Sequence, residues 1–169
     1  MKKYILLIAL AVSVLTAKAQ FNVDRLITSG KVALHYEDYV LSIQYFNQVI
    51  ALKPFLYEPW QYRAVAKFYL DDFVGAETDA SEAIALNPYI DILYDLRAIS
   101  RIRQEKYAGA IADYNKAIAI SPDTRNYWFN RAICMLNSKD YDDALAQTDS
   151  IIRKWQHFAN AYQLKAEVW

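Results

Sequence analysis

Side chains that build catalytic and metal sites are few in this sequence and far apart. The two histidines, His35 and His157, are separated by more than one hundred residues, and neither belongs to an HExxH or similar ligand pattern. The single cysteine, Cys134, lies in an apolar run, which predicts a small buried residue and not a reactive thiol. The three glycines are scattered, so they form no phosphate-binding loop. We therefore expect no catalytic residue, no metal site and no cofactor, and we predict that the protein is not an enzyme.

Adjacent carboxylates occur at Asp71-Asp72 and at Asp142-Asp143. Such pairs can act as general acid and base, but both stand where one helical segment ends and the next begins. The first turn of a helix exposes unpaired N–H groups and the positive end of the helix dipole, which favour negative charge. We predict that these carboxylates cap helices.

Three arginines, Arg63, Arg97 and Arg131, recur with a spacing of 34 residues. This column could bind an anionic ligand, or it could pair with carboxylates inside the fold. Asp79 and Asp113 follow the first two arginines by sixteen residues each. We therefore predict the structural ion pairs Arg63–Asp79 and Arg97–Asp113. A glutamine holds the matching position after Arg131, so a third pair is expected to be absent.

The spacing of 34 residues runs through the whole chain and not only through the arginines. Segments of one pattern end at Pro54, Pro88 and Pro122, the third of them reading AIADYNKAIAISP. A fourth copy ends at Gln156 without the proline. Self-similarity at a fixed period indicates a repeat architecture, in which each unit packs against its neighbours.

Each repeat divides into two helical segments. Glycine and proline are scarce, and apolar residues return every three or four positions, which is typical of helices. The first helices are predicted at 23–36, 57–70, 91–104 and 125–138, and the second helices are predicted to begin near Tyr39, Phe73, Tyr107 and Tyr141. Because only two polar residues join the helices of a repeat, each repeat should be an antiparallel hairpin.

Large and small side chains form columns along these helices. A large residue stands early in each first helix, and a small residue one turn later lets the neighbouring helix approach. The large residues are Leu26, Trp60, Tyr94, Trp128 and Tyr162, and the small ones are Gly30, Ala64, Ala98, Ala132 and Ala166. Ser42, Ala76, Ala110 and Ala144 are expected to play the same part in the second helices. The aromatic residues that begin the second helices should fill the space at the hairpin bends.

Taken together, these columns resemble the tetratricopeptide repeat, whose signature runs from an early tryptophan through small residues and an aromatic to a closing proline. The resemblance covers residues 23–169 and implies an all-α, right-handed α-α superhelix of four helical hairpins plus a C-terminal helix. The repeats are placed at about 23–56, 57–90, 91–124 and 125–158, within a repeat domain at 20–169 that closes with a terminal helix at 159–169.

The resemblance also implies where a partner binds, because the first helices of such a superhelix line a concave groove. The residues at the matching positions are Lys31, Gln61, Tyr62, Val65, Tyr69, Asp95, Ile99, Arg103, Phe129, Asn130, Ile133 and Asn137. Their aromatic and amide groups suit a peptide or protein segment, so the implied function is a non-catalytic scaffold for protein–protein interaction. Tyr62, Tyr69 and Phe129 could instead pack between adjacent repeats.

Two classes of partner are not expected. A subset of the family binds acidic C-terminal tails through a clamp of Lys, Asn and Arg, but the matching positions here carry a single basic group. They hold Ile27, Lys31, Tyr62, Ile92 and Leu96. Nucleic acid is not expected either, because 19 basic residues balance 19 acidic ones.

The N-terminal residues have the pattern of a secretory signal, placed at 1–19. Lys2 and Lys3 precede an apolar run from Tyr4 to Ala17, which is shorter than the roughly 20 residues of a membrane-spanning helix. With cleavage after Ala19, we expect an exported bacterial protein in the periplasm or outside the cell. It is not expected to be a lipoprotein, because no cysteine lies near the cleavage site.

Two alternative functions remain open. The apolar residues near the C-terminus could drive self-association, which would make the protein a structural component and a homo-oligomer through its C-terminal helix. The chain could also be the repeat portion of a longer enzyme or sensor that continues beyond Trp169.

Overall fold

The computed structural model describes residues 22–168. The signal peptide predicted at 1–19, its cleavage after Ala19 and the terminal Trp169 lie outside these residues. Within them every regular element is a helix. The all-α helical repeat solenoid expected from the sequence is confirmed.

Nine helices follow one another in the described residues. The first, α1, occupies residues 22–35. The others are α2 (Tyr39–Leu52), α3 (Tyr57–Tyr69), α4 (Phe73–Leu86), α5 (Asp91–Ile102), α6 (Tyr107–Ile120), α7 (Arg125–Asn137), α8 (Tyr141–Lys154) and α9 (Ala159–Val168). The second helices begin at the four predicted aromatic residues. The first helices end one or two residues earlier than predicted, because the closing residues belong to the links.

The links between paired helices share one backbone conformation. Glu37, Asp71, Glu105 and Lys139 have positive φ angles of 62°, 59°, 59° and 66°. This conformation lets the N–H group of the following residue donate a hydrogen bond to a carbonyl of the preceding helix. An example is the 2.9 Å bond from the Lys106 N–H to the Arg101 carbonyl. These bonds satisfy the last carbonyls of the first helix and reverse the chain within three or four residues.

The adjacent carboxylates act at helix N-termini. Asp72 accepts a hydrogen bond of 2.9 Å from the Gly75 N–H, and Asp38 accepts one of 3.1 Å from the Leu41 N–H. Asp142 and Asp143 lie in the first turn of α8, where the helix dipole favours their charge. Asp71 differs from this pattern, because it is a link residue and faces Arg103 at 3.5 Å.

The columns of small residues form the contacts between neighbouring helices. Ala64, Ala98 and Ala132 are completely buried, and so are Ser42, Ala76, Ala110 and Ala144. At Gly30 a Cβ atom would lie only 2.8 Å from the ring of Phe46, so no larger residue fits without movement. Ala166 is exposed, against the expectation for its column, because no helix follows α9 in the described residues.

The large residues of the first helices tie each helix to the loop before it. Trp60, Tyr94, Trp128 and Tyr162 each donate a hydrogen bond of 3.0–3.1 Å to the carbonyl oxygen six residues earlier. The acceptors are Pro54, Pro88, Pro122 and Gln156. Tryptophan and tyrosine alternate in this column because both are large and carry a donor at the tip.

The arginine column joins consecutive repeats as well as the two helices of one repeat. Arg63 donates two hydrogen bonds of 2.7 Å to Asp79 on α4, and another of 2.6 Å to Asn47 on α2. Arg97 repeats this arrangement, with a bond of 2.6 Å to Asp113 and one of 3.2 Å to Ser81. Both predicted ion pairs are therefore present, and each arginine also contacts the preceding repeat.

The fourth repeat keeps the arginine but not the ion pair. Arg131 donates to Gln147 and to Asn115, at the same offset of sixteen residues on either side. Burial lowers the pKa of Arg131, and its Nε atom is buried without a hydrogen-bond partner.

Further ion pairs link the second and third repeats. Arg101 contacts both Glu77 and Asp113 at 2.8 Å, and Lys106 reaches Glu77 at 2.9 Å. Burial alone raises the pKa of Glu77, but hydrogen bonds from Lys106, Arg101 and Gln104 outweigh burial and lower this pKa to about 2. The carboxylate therefore stays ionised within a network that spans two repeats.

Cys134 is completely buried in the hydrophobic core, as its sequence context predicted. Burial raises the pKa of its thiol to about 12, so the thiolate needed for reaction is disfavoured. None of the helices within residues 22–168 has the length and apolar character needed to cross a membrane.

Candidate partner-binding groove

Three clefts lie between consecutive first helices. The N-terminal cleft is formed mainly by α1 and α3, the central cleft by α3 and α5, and the C-terminal cleft by α7 and α9. The helical period explains this arrangement, because residues three or four positions apart share one face and line the same cleft.

The N-terminal cleft is aromatic and has a volume of about 440 Å³. The Lys31 ammonium lies 4.6 Å above the ring of Tyr62, which gives the cation a π-face as a partner. Tyr39 and Tyr69 stack in parallel, with their ring centroids 5.1 Å apart. His35 also lines the cleft, so this histidine is part of the groove rather than an isolated surface residue.

The central cleft is smaller, at about 190 Å³, and mostly apolar. Its lining consists of Gln61, Val65, Phe68, Tyr69, Ile92, Asp95, Leu96 and Ile99. Tyr69 and Ile92 are 61% and 49% exposed, so two large side chains stand open at its rim. Asp95 is the one charged residue in this lining.

The carboxyl group of Asp95 has no ion pair in the described part of the chain. Its Oδ1 atom is buried and makes no hydrogen bond of normal geometry, and the same holds for the nearby Tyr114 hydroxyl. Burial raises the pKa of Asp95, the Tyr114 hydroxyl lowers it, and the charge of Asp91 raises it, for a net upward shift. The ionised carboxylate is thus poorly stabilised by the protein itself.

The carboxylate of Asp91, one turn before Asp95 on α5, accepts several hydrogen bonds. Burial raises its pKa, but hydrogen bonds from the side chains of Ser121 and Tyr127 and from the Ile92 N–H lower it below its usual value. The bond from the Tyr127 hydroxyl is 3.1 Å long and links α7 to α5. The two aspartates on this helix therefore differ, since Asp91 joins two repeats and Asp95 is left without a counterion.

The C-terminal cleft has a volume of about 320 Å³ and a more polar lining. Phe129, Ile133, Leu136 and Leu164 contribute its apolar side chains, and Asn137, Asn160, Gln163 and Glu167 contribute its polar ones. The ring of Phe129 meets that of Phe158 edge to face, at 5.1 Å between centroids.

The structure brings most of the predicted groove residues into these clefts. Lys31, Gln61, Tyr62, Tyr69, Asp95, Ile99, Phe129 and Asn137 line at least one of them. Arg103 and Asn130 line none of the three. Arg103 lies beyond the end of α5, 4.4 Å from the ring centroid of Phe73, and Asn130 lies near the Tyr114 hydroxyl.

Other lining residues were missed. Leu34, His35, Glu37 and Tyr39 belong to the N-terminal cleft, and Phe68, Ile92 and Leu96 belong to the central one. Helical spacing was the available signal, since Ile92, Leu96 and Ile99 follow one another by four and three residues.

The aromatic residues assigned to the groove also pack between repeats. Tyr62 stacks on Phe46 at 5.5 Å, and both Tyr62 and Phe129 are half-buried. Tyr69 combines a stacking contact with a large exposed surface. Packing and partner contact are thus not exclusive alternatives for these rings.

Within the described residues, no group of three or more His, Cys, Asp or Glu side chains could hold a metal ion.

A family model described as the tetratricopeptide repeat matches residues 101–168. No curated protein matches the chain in sequence.

Solved structures of helical repeat proteins resemble most of the fold. The crystal structure of MamA aligns with a TM-score of 0.78 at 22% identity, covering 88% of this chain and 86% of that one. YrrB, described as a repeat protein with an unusual peptide-binding site, aligns with a TM-score of 0.76 at 12% identity, covering 85% and 74%. The first repeat domain of Spaghetti (RPAP3), bound to the HSP90 peptide SRMEEVD, aligns with a TM-score of 0.66 at 23% identity, covering 68% and 91%.

Proposed function

We propose that the chain is a tetratricopeptide repeat protein and a non-catalytic scaffold that binds an extended peptide or protein segment along its first helices. The match of residues 101–168 to the repeat model and the helical repeat fold support this proposal. The observation that carries this proposal is the row of clefts between α1, α3 and α5, with Tyr69 shared by two of them. An extended peptide places alternate side chains on one side, so successive residues can enter successive clefts.

The lining supplies the groups that such a ligand needs. Tyr69 and Ile92 offer exposed apolar area, while Gln61 can donate to and accept from a peptide backbone. The structural relatives YrrB and RPAP3 are described as peptide-binding, which supports the same class of ligand for this fold.

The proposal is tested by selecting binders from a phage library of random dodecapeptides on the purified protein. The tightest selected peptide is then titrated by fluorescence anisotropy against the Tyr69→Ala/Ile92→Ala double variant. We expect its Kd to rise at least tenfold, because two exposed anchors of the groove are removed.

The matched control is the double variant Leu52→Ala/Tyr89→Ala. Its two side chains are similarly exposed, at 57% and 81%, and line none of the clefts. An equal loss of affinity in both variants, or no loss in either, would contradict binding in the groove.

A structural, self-associating role is the second candidate, and one observation favours it. On α9, Tyr162 is 49% exposed and Ala166 is exposed, whereas the same columns are half-buried or buried in earlier repeats. Sedimentation velocity at rising concentration tests this role, since Tyr162→Lys should abolish any dimer. A wild-type protein that stays monomeric at high concentration argues against it.

We also propose that the protein acts outside the cytoplasm, on the strength of the signal-like pattern at 1–19. Export of the tagged protein, with a mature N-terminus at Gln20, is the expected result of cell fractionation and N-terminal sequencing. A full-length cytoplasmic product would overturn it.

A further inference from the structure

The central cleft combines an apolar floor with one carboxylate that the protein does not neutralise. Val65, Leu96 and Ile99 form apolar parts of the lining, and Asp95 is the charged residue within it. A cleft of about 190 Å³ accommodates one or two amino-acid side chains and not a large ligand.

The charges around the cleft show why Asp95 is unusual. Arg97 and Arg101, on the same helix, are directed to Asp113 and Glu77 through bonds of 2.6–2.8 Å. Their positive charges are therefore already paired with the carboxylates of Asp113 and Glu77. Asp95 keeps a buried oxygen without a hydrogen-bond partner.

A half-buried carboxylate with no counterion is unfavourable when ionised, and two events can relieve this. It can take up a proton, which the upward shift of its pKa reflects, or it can receive a cation from a ligand. Arginine and lysine side chains both offer charged N–H donors on an apolar stem, and that stem suits the apolar walls of the cleft.

We propose that the central cleft binds a lysine or arginine side chain of the partner peptide, with the cation at Asp95 and a neighbouring apolar residue of the peptide against Ile92 and Leu96. This specificity rests on the proposed function, because it assigns the class of residue that the groove recognises. It is opposite in charge to the recognition of acidic tails, for which the matching positions carry only one basic group, Lys31.

The test is a double-mutant cycle with the tightest peptide selected from the random dodecapeptide library. Each lysine or arginine of that peptide is replaced in turn by glutamine, and the Kd values are measured with the wild-type protein and with Asp95→Asn. We expect one replacement to weaken binding to the wild type by about tenfold or more, as for a hydrogen-bonded charge pair. The same replacement should change the Kd for Asp95→Asn by less than about threefold.

The matched control is Glu82→Gln, which removes an exposed carboxylate of α4 that does not line the central cleft. This variant should retain the full tenfold effect. A selected peptide without a coupled lysine or arginine would overturn the charge preference and leave the scaffold function standing. Failure to select any peptide would instead remove the scaffold function and the inference together.

A structural role for Asp95 gives a different result in the free protein. If the carboxylate were needed for folding, Asp95→Asn would lower the thermal midpoint at pH 7. We expect the midpoint to stay unchanged or rise, because the variant removes a half-buried charge that has no counterion. A clear fall in the midpoint would count against a ligand-binding role.

Discussion

At the scale of single residues, Asp79 illustrates how charge holds the repeats together. It is 1% exposed and receives Arg63 at 2.7 Å and Lys67 at 2.9 Å. A carboxylate so deeply buried is stable only because two cations and several hydrogen bonds replace its water.

Replacing Asp79 by asparagine should destabilise the protein by about 3 kcal/mol, because two cations would remain near the core without their anion. Urea unfolding followed by circular dichroism measures the change. Asp123→Asn is the control, since this side chain is 91% exposed in its pair with Lys154 and should alter stability little. Equal stability of Asp79→Asn and wild type would show that the pair contributes nothing.

Glu77 leads to a prediction about pH. Its pKa falls from an ordinary value of 4.5 to about 2 in the folded protein. A carboxyl group whose pKa is lower in the folded than in the unfolded protein stabilises the fold when it is ionised. This stabilisation is complete above the unfolded pKa and is lost as pH falls from about 4.5 towards about 2.

The urea midpoints of wild type and Glu77→Gln should therefore differ most at pH 6 and converge near pH 2. Glu82→Gln, on an exposed position of the same helix, should follow the wild type across the whole range. A gap for Glu77→Gln that stays constant with pH would be inconsistent with this pKa.

At the scale of elements, the hydrogen-bond donors of Trp60, Tyr94, Trp128 and Tyr162 attach each first helix to the loop before it. Tyr94 is 8% exposed, and its hydroxyl donates to the Pro88 carbonyl at 3.1 Å. The bond holds the loop between α4 and α5 against the helix that lines the central cleft.

Removing only this hydroxyl, by Tyr94→Phe, should cost about 1 kcal/mol, because the carbonyl loses its donor while the ring stays in place. Thermal unfolding of Tyr94→Phe is compared with that of Tyr89→Phe, whose side chain is 81% exposed. A similar loss in both variants would mean that the hydroxyl at position 94 does not stabilise the loop.

At the scale of the whole molecule, the charge network is concentrated in the second and third repeats. Asp79, Asp113 and Glu77 each hold two cations there, whereas the fourth repeat has Gln147 opposite Arg131. The stability of a solenoid depends on the contacts between neighbouring repeats. We therefore expect slower amide hydrogen exchange in α4–α6 than in α7–α9.

Gln147→Glu should strengthen the fourth repeat by about 1 kcal/mol, since Arg131 gains an anion and the unpartnered Nε2 atom of Gln147 is removed. Amide hydrogen–deuterium exchange followed by mass spectrometry should then be about fivefold slower in α7 and α8 than in the wild type. Gln44→Glu, at an exposed position of α2, serves as the control. Faster exchange in α7–α8 would show that burial of the new charge destabilises the fold more than the new ion pair stabilises it.

Much of the fold was accessible from the sequence, because its determinants repeat at one interval. The helix starts at Tyr39, Phe73, Tyr107 and Tyr141 and the Arg63–Asp79 and Arg97–Asp113 pairs were predicted from residues that recur every 34 positions. The links were located to within one or two residues, although the residue types at Glu37 and Asp71 do not predict their positive φ angles.

The sequence predicted which helices line the candidate groove and most of the residues on that side of the solenoid. The tertiary structure decided the rest: the division of that side into clefts, the second contact of each arginine with the preceding repeat, and the lack of a counterion at Asp95. The physical reason is that helical periodicity sets the direction of a side chain within its own hairpin. The distance between side chains of different hairpins depends instead on how the buried alanines, Gly30 and the stacked rings let those hairpins approach.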